Sequence, residues 1–222
     1  MDGGGAETPR QVQFKPDDPA PTIGGANLFL EAGPYDQSPL LDRSDVLSFA
    51  SPQMEEPLEV VGHVTALVHL SADVPDLDVA VRLADIYPDG RWMLVTDGIQ
   101  KMRSREGEDR EVFLEPGRVT ALEVALGATS YVFAPGHRVG CFVGGSNYPR
   151  FDVNPHTGEP VNHGTRLEPA NVRIYFSSRH PSRLILPVSN GNGRHARPLG
   201  PPGTPLQVVL ESLRTMAGPL IR

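Results

Sequence analysis

Length, composition and charge narrow the class of protein before any motif is considered. The chain of 222 residues is long enough to bury a real core, and its hydrophobic content of 39%, or roughly 47% when glycine is counted and tyrosine is not, is that of an ordinary globular protein. Gly and Pro number 23 each, which favours many turns and short strands over long helices. A net charge of −7 without any dense basic run argues against binding to nucleic acid or to an anionic membrane.

Cysteine content and the N-terminal residues bear on the compartment. The single cysteine, Cys141, rules out an internal disulfide framework and a zinc site built from several thiolates. We therefore expect a cytoplasmic protein, although an exported protein without disulfides would have the same cysteine content. Residues 1–7 lack the basic start and apolar core of a secretory signal, and no stretch approaches the roughly 18 apolar residues of a membrane span.

In chain order, residues 1–44 predict an extended, wrapping connector and not a domain, because they are rich in Pro, Gly and Asp. Residues 45–190 predict a domain of about nine short strands separated by turns. The predicted strands are 58–71, 77–84, 91–97, 110–114, 118–126, 129–133, 137–145, 172–177 and 183–188. Alternation of apolar and polar residues over 77–84, followed by the turn sequence YPDG at 87–90, is typical of half-buried strands.

Long amphipathic helices are absent from the pattern over residues 45–190, which predicts an all-β sandwich or barrel and not a parallel α/β sheet. A long irregular loop over residues 147–168 is expected to be functional or interfacial. Residues 191–222 predict a flexible linker and a short C-terminal helix that begins near Thr204 and ends at Gly218.

Residues with catalytic or metal-binding chemistry have ordinary structural interpretations here. Ser146 lies in the sequence GGSNY, which has Tyr148 where a nucleophile elbow needs glycine, so we interpret it as a strand-end residue. Cys141 is expected to be buried and inert in a strand. The seven histidines show no metal-ligand spacing, and the acidic residues 73–78 predict a solvated turn and not a calcium loop. We expect no metal and no cofactor.

Several segments, taken together, resemble a known family. They occur in this order along the chain: 19–25 (PAPTIGG), 43–49 (RSDVLSF), 57–62 (PLEVVG), 78–91 (DVAVRLADIYPDGR), 133–139 (FAPGHRV), 146–155 (SNYPRFDVNP) and 180–188 (HPSRLILPV). The set resembles the C-terminal domain of the Xaa-Pro dipeptidyl-peptidase and cocaine-esterase (CocE/NonD) family of serine hydrolases, over roughly residues 16–188.

The resemblance implies a jelly-roll, galactose-binding-like β-sandwich attached to an α/β-hydrolase domain. In such enzymes the Ser, Asp and His of the triad lie upstream, so the resemblance assigns no catalytic residue to this chain, and His137 is not promoted to a catalytic histidine. The residues it singles out are structural: Asp78, Asp85, Gly136, His137, Arg138, Asn147, Phe151 and Asn154. Gly136 is expected to permit a turn, Arg138 to donate several hydrogen bonds to loop carbonyls or carboxylates, and Asn154 with Asp152 to pin the following loop.

Three functions are compatible with the sequence. The favoured one is a non-catalytic sandwich that docks on an α/β-hydrolase domain or subunit and borders its substrate cleft, the substrates being Xaa-Pro peptides, α-amino acid esters or related acyl compounds. The alternative is a free-standing carbohydrate- or ligand-binding module, which would need an exposed aromatic pair such as Trp92 with a tyrosine. A hydrolase that uses Ser146 itself is the third. Under the first, apolar residues of the connector (Ile23, Leu28, Phe29, Leu30) should be exposed in the isolated chain and cause self-association.

Overall fold

The computed structural model describes residues 9–159 and 166–188, and the backbone of residues 207–212. Its strands are β1 (Arg10–Phe14), β2 (Val46–Ala50), β3 (Leu58–Ala72), β4 (Asp78–Ile86), β5 (Trp92–Lys101), β6 (Thr120–Phe133), β7 (Arg138–Gly144), β8 (Ala170–Tyr175), β9 (Arg183–Val188) and β10 (Gln207–Ser212). Short 3-10 turns occupy Ser38–Asp42 and Met102–Ser104. The described residues contain no α-helix, and so none that could cross a membrane. The all-β prediction is confirmed.

Two sheets form the sandwich. In the first sheet, β6 pairs along one edge of β3, while β8 and β9 share the other edge and continue to β1 and β10 respectively. The second sheet has the order β2-β7-β4-β5, and its pairings are all antiparallel. From β1 to β8 the chain moves between the sheets in the order of a jelly roll, with β1-β8-β3-β6 facing β2-β7-β4-β5.

Most of the strands predicted from period-two alternation are present. β3, β4, β5, β7, β8 and β9 overlap their predicted ranges, and β9 matches residues 183–188 at both ends. The turn at 87–90 also forms: Tyr87 and Arg91 are joined by a 2.9 Å backbone hydrogen bond, and Gly90 has a φ of 93°. This turn places the end of β4 beside the start of β5.

Three predicted strands between residues 110 and 133 differ from the structure. Residues 110–114 are not a strand, because their amides serve as single tethers: Val112 donates to the Arg103 carbonyl and Leu114 to the Pro75 carbonyl. The predicted strands 118–126 and 129–133 are one strand, β6. Gly127, with a φ of 84°, adjoins a register shift in the pairing with β3 and does not end the strand.

Strands at the two ends of the chain differ most from expectation. β1 and β2 fall before the first predicted strand; β1 pairs with β8 and β2 with β7. The predicted C-terminal helix is wrong over 207–212, where β10 runs parallel to β9. The open edge of β9 supplies backbone partners that an isolated short helix would lack. The linker predicted before β10 lies outside the described residues.

The core lies between the sheets, and a second apolar layer lies outside the second sheet. β4 is buried along its whole length, on both faces. Its outer face is covered by the segment that precedes β2, whose Ala20 and Leu40 pack with Ala84 and Phe142. The second sheet is therefore a middle layer, and the N-terminal segment reaches the surface above it.

Candidate functional site

Asp85 and His137, two of the residues predicted from the sequence, lie together at one end of the second sheet. His137 Nδ1 is 2.9 and 2.8 Å from the two carboxylate oxygens of Asp85, and the Tyr131 hydroxyl donates to the same carboxylate at 2.9 Å. Burial and the Asp85 contact raise the pKa of Tyr131. The cluster joins the end of β4 to the start of β7.

The neighbouring residues Gly136 and Arg138 complete that turn. Gly136 has a φ of 85°, and its carbonyl accepts a 2.7 Å hydrogen bond from Gln53 Nε2. Arg138 is exposed and donates at 3.3 Å to the Ser51 carbonyl, the one side-chain hydrogen bond that its described surroundings provide. The expected set of several hydrogen bonds from Arg138 is therefore reduced to one, because the residue is exposed.

Asp78 and Asn154 form a second cluster, which is buried. Asn154 Nδ2 bridges Asp76 Oδ2 at 2.6 Å and Asp78 Oδ1 at 2.7 Å, and Lys101 pairs with Asp78 at 2.9 Å. Arg103 closes the cluster by pairing with Asp76 at 2.8 Å. Burial raises the pKa of Asp78, against the opposing effect of Lys101. The expectation of a solvated turn is wrong for Asp76 and Asp78, which are buried and paired with Arg103, Lys101 and the Asn154 amide, whereas Asp73 is exposed.

Metal chemistry finds no support in the described part of the chain. It contains no group of three or more His, Cys, Asp or Glu side chains placed to hold an ion. His69 and His180 form a ring pair with centroids 5.8 Å apart. His163 and His195 lie outside the described residues.

Asn147 and Phe151 belong to a third cluster, centred on Asp97 of β5. Asn147 Nδ2 donates to Asp97 at 2.8 Å, and Arg150 Nη1 lies 2.8 Å from both of its carboxylate oxygens. The Arg150 guanidinium lies 5.0 Å from the centre of the Phe151 ring. Sequence reasoning missed Asp97. The only indication in the sequence was a carboxylate after the uncharged residues 92–96, and this indicates no partner for it.

Arg82 of β4 lies beside this third cluster, because Arg82 is paired with Asp97 in the register of β4 and β5. It is 1% exposed and donates to the Pro21 carbonyl at 3.0 Å through Nη2, while its Nη1 has no hydrogen-bond partner. Burial lowers the pKa of Arg82 to about 10, and Asp97 opposes that effect. The N-terminal segment thus contacts a layer of charged side chains formed by Arg82, Asp97 and Arg150.

Residues 24–33 form an exposed loop that begins beside these charged side chains; we call it the apolar loop. Leu28, Phe29 and Leu30 are 93%, 97% and 36% exposed. Gly25 and Gly33 exchange backbone hydrogen bonds of 2.8 and 3.1 Å at the base, and Asn27 Nδ2 donates to two carbonyls within the loop. A loop closed by its own hydrogen bonds therefore presents two large apolar side chains to solvent.

Neither proposed nucleophile lies in a catalytic setting. Ser146 lies two residues after the end of β7, is 7% exposed and accepts a hydrogen bond from the Ala20 amide at 2.7 Å. Cys141 is buried, and burial raises the pKa of its thiol to about 12. Both observations agree with the structural interpretations of these residues.

Comparison with known proteins extends these observations. A family model described as the X-Pro dipeptidyl-peptidase C-terminal non-catalytic domain matches residues 7–185. Cocaine esterase from Rhodococcus sp. is 37% identical over 188 residues, covering 83% of this chain and 33% of the relative. A putative serine esterase of Mycobacterium bovis is 30% identical over 160 residues, covering 64% of this chain and 24% of the relative.

Solved structures show the same architecture. An aminopeptidase from a marine sediment Thaumarchaeota archaeon matches with a TM-score of 0.76 at 25% identity, covering 86% of this chain and 36% of that chain. An α-amino acid ester hydrolase also matches with a TM-score of 0.76, at 27% identity, covering 83% of this chain and 33% of that chain. The chain spans about a third or less of the length of the curated relatives it matches. The chain belongs to the Xaa-Pro dipeptidyl-peptidase and cocaine-esterase family, and corresponds to its C-terminal non-catalytic domain.

Proposed function

We propose that this β-sandwich docks on an α/β-hydrolase domain through the apolar loop and borders the substrate cleft of that domain. The observation that carries the proposal is the exposure of Leu28 and Phe29 at 93% and 97%. Large apolar side chains that stay exposed to water do not stabilise the fold, whereas adjacent exposed apolar side chains are typical of a protein interface. The apolar loop is closed by backbone hydrogen bonds, so little ordering entropy would oppose docking.

The chemistry of the assembly is assigned to the α/β-hydrolase domain. We infer acyl transfer through a serine nucleophile and a histidine base, on Xaa-Pro peptides, α-amino acid esters or related acyl compounds. On this chain, the Ser146 hydroxyl is occupied by a backbone amide and the Asp85 carboxylate by Tyr131 and His137. The sandwich would therefore contribute a wall of the cleft and a docking surface, without a reacting group.

The carbohydrate-binding alternative has weaker support. A sugar platform needs an exposed aromatic face, but the Trp92 ring packs against Phe142 with centroids 4.8 Å apart and leaves no room for a side chain at Gly140. Trp92 belongs to the apolar layer beneath the N-terminal segment. The proposed partner is therefore a protein surface.

The test measures binding of the full chain to the Rhodococcus cocaine esterase truncated to remove the third that matches this chain. We expect a complex by size-exclusion chromatography with light scattering, and weaker binding by Leu28→Ser with Phe29→Ser. Loss of two buried apolar side chains is worth about 3 kcal/mol or more, which is over about a hundredfold in Kd.

Leu167→Ser is the matched control, because Leu167 is 48% exposed and lies outside the apolar loop. The isolated wild-type chain is expected to self-associate, and the double variant to be monomeric. A fluorophosphonate probe should label the truncated esterase but not the chain, with Ser146→Ala as the check. A wild-type chain that forms no complex, or a double variant that binds as tightly as wild type, would overturn the proposal.

A further inference from the structure

The position of the apolar loop is not set by its own apolar side chains. Leu28 and Phe29 are almost fully exposed, so packing against the sandwich cannot hold the tip in place. The loop must therefore be positioned at its base. The contacts at that base are both polar and apolar: Gly25 lies beside Arg150, Asp97 and Leu94, and Ile23 packs with the apolar layer.

The base of the apolar loop rests directly on the Asp97 and Arg150 ion pair. A Cβ atom built on Gly25 would lie 3.2 Å from Arg150 Nη1 and 3.4 Å from Asp97 Oδ1. The side chains of Asp97 and Arg150 are 6% and 22% exposed, and their closest atoms are 2.8 Å apart. The ion pair thus forms a nearly buried support beneath the backbone at which the loop begins.

The chain that leads into the loop is fastened to the same cluster. Thr22 donates its amide to the Tyr148 carbonyl at 2.6 Å and its hydroxyl to the Asn147 carbonyl at 3.0 Å. In return the Arg150 amide donates to the Thr22 hydroxyl at 3.2 Å. The Arg150 amide is bonded to Thr22, and the Arg150 guanidinium lies beside Gly25. A shift of either group would therefore move the residues that enter the loop.

Gln37 joins the residues on either side of the loop, and Leu94 holds its exit. Gln37 Nε2 donates to the Ile23 carbonyl at 2.7 Å and to the Tyr35 carbonyl at 3.1 Å, and the Leu94 amide of β5 donates to the Tyr35 carbonyl at 3.0 Å. β5 also carries Asp97. Residues at the entry and at the exit of the loop are therefore both positioned by contacts with β5.

We propose that the Asp97 and Arg150 ion pair is a positioning element for docking: it sets the orientation in which Leu28 and Phe29 are presented to the partner. This inference rests on the docking function proposed above. The two residues act through the backbone of residues 22–25, since the side chains at the tip, Leu28 and Phe29, are almost fully exposed.

The test compares Asp97→Asn and Arg150→Lys with wild type in two measurements. Hydrogen exchange of the Gly25, Asn27 and Gly33 amides, which donate backbone hydrogen bonds within the loop, is expected to accelerate by about tenfold in the isolated chain, and the Kd for the truncated esterase to rise by about tenfold. Arg118→Lys is the matched control, because Arg118 pairs with Glu115 at 2.7 Å on the surface and both are mostly exposed.

A second control separates positioning from general stability. Val124→Ala removes buried volume from β6, and docking is compared at a temperature where its loss of unfolding free energy equals that of the ion-pair variants. The inference is overturned if Val124→Ala weakens docking equally, or if the ion-pair variants dock and exchange like wild type. If the wild-type chain itself does not dock, the docking function fails, and unchanged exchange in the loop would still refute the positioning role.

Discussion

His156 should make the stability of this domain fall at mildly acidic pH. The residue is 2% exposed, its Nδ1 lies 2.6 Å from the Glu168 carbonyl, and its amide donates to Asn154 Oδ1 at 2.9 Å. An Nδ1 that faces a carbonyl carries the proton of the neutral ring. Burial lowers the pKa of His156 from 6.5 to about 4, against the opposing charges of Asp76 and Asp73.

The sign and size of the effect follow from proton linkage at His156. Between pH 6.5 and about 4, the unfolded chain binds a proton that the folded chain excludes, so the free energy of unfolding falls as pH is lowered. Between pH 7 and 4.5 this loss amounts to about 2 kcal/mol, and it levels off once the folded ring also titrates. Asp78 acts in the opposite sense, because its raised pKa favours proton uptake by the folded chain.

Urea unfolding at pH 7 and 4.5, followed by the fluorescence of Trp92, measures the effect. The comparison variant is His156→Asn, because His156 has a φ of 66° and asparagine adopts that region more readily than most residues. Between the two pH values, wild type should lose about 2 kcal/mol more than His156→Asn. Equal losses in the two proteins would refute a buried neutral His156.

Two further substitutions test the packing and the turn. Gly98→Ala should lower stability by about 2 kcal/mol or more in thermal unfolding, because its Cβ would lie 2.0 Å from the Ala125 carbonyl oxygen where β5 meets β6; an unchanged Tm would contradict that close approach. Arg138→Ala should cost less than about 1 kcal/mol, a Tm shift of about 2 °C, since it removes one 3.3 Å hydrogen bond to Ser51 at the surface; no shift at all would show that this bond contributes nothing.

Local pattern predicted the strands that face the core on one side. β9 and the turn at 87–90 follow from alternation and from the preferences of Pro and Gly, which act over a few residues. The pattern failed where a residue's role depends on a distant strand. The strands predicted over 118–126 and 129–133 are one strand, because pairing with β3 carries β6 through Gly127. Residues 207–212 are predicted within a helix but form a strand, because the edge of β9 pairs with them.

The sequence by itself determined the all-β class, the family and the apolar character of residues 28–30, because each depends on residue types in order. It also singled out Asp85, His137 and Asn154, but without their partners. Only the tertiary structure decided which charges meet: it placed Asp97 of β5 against Arg150, and Asp76 against Arg103. Buried ion pairs of this kind join residues 27 and 53 positions apart. Their energies depend on burial and on distance in space, which no local pattern of residues records.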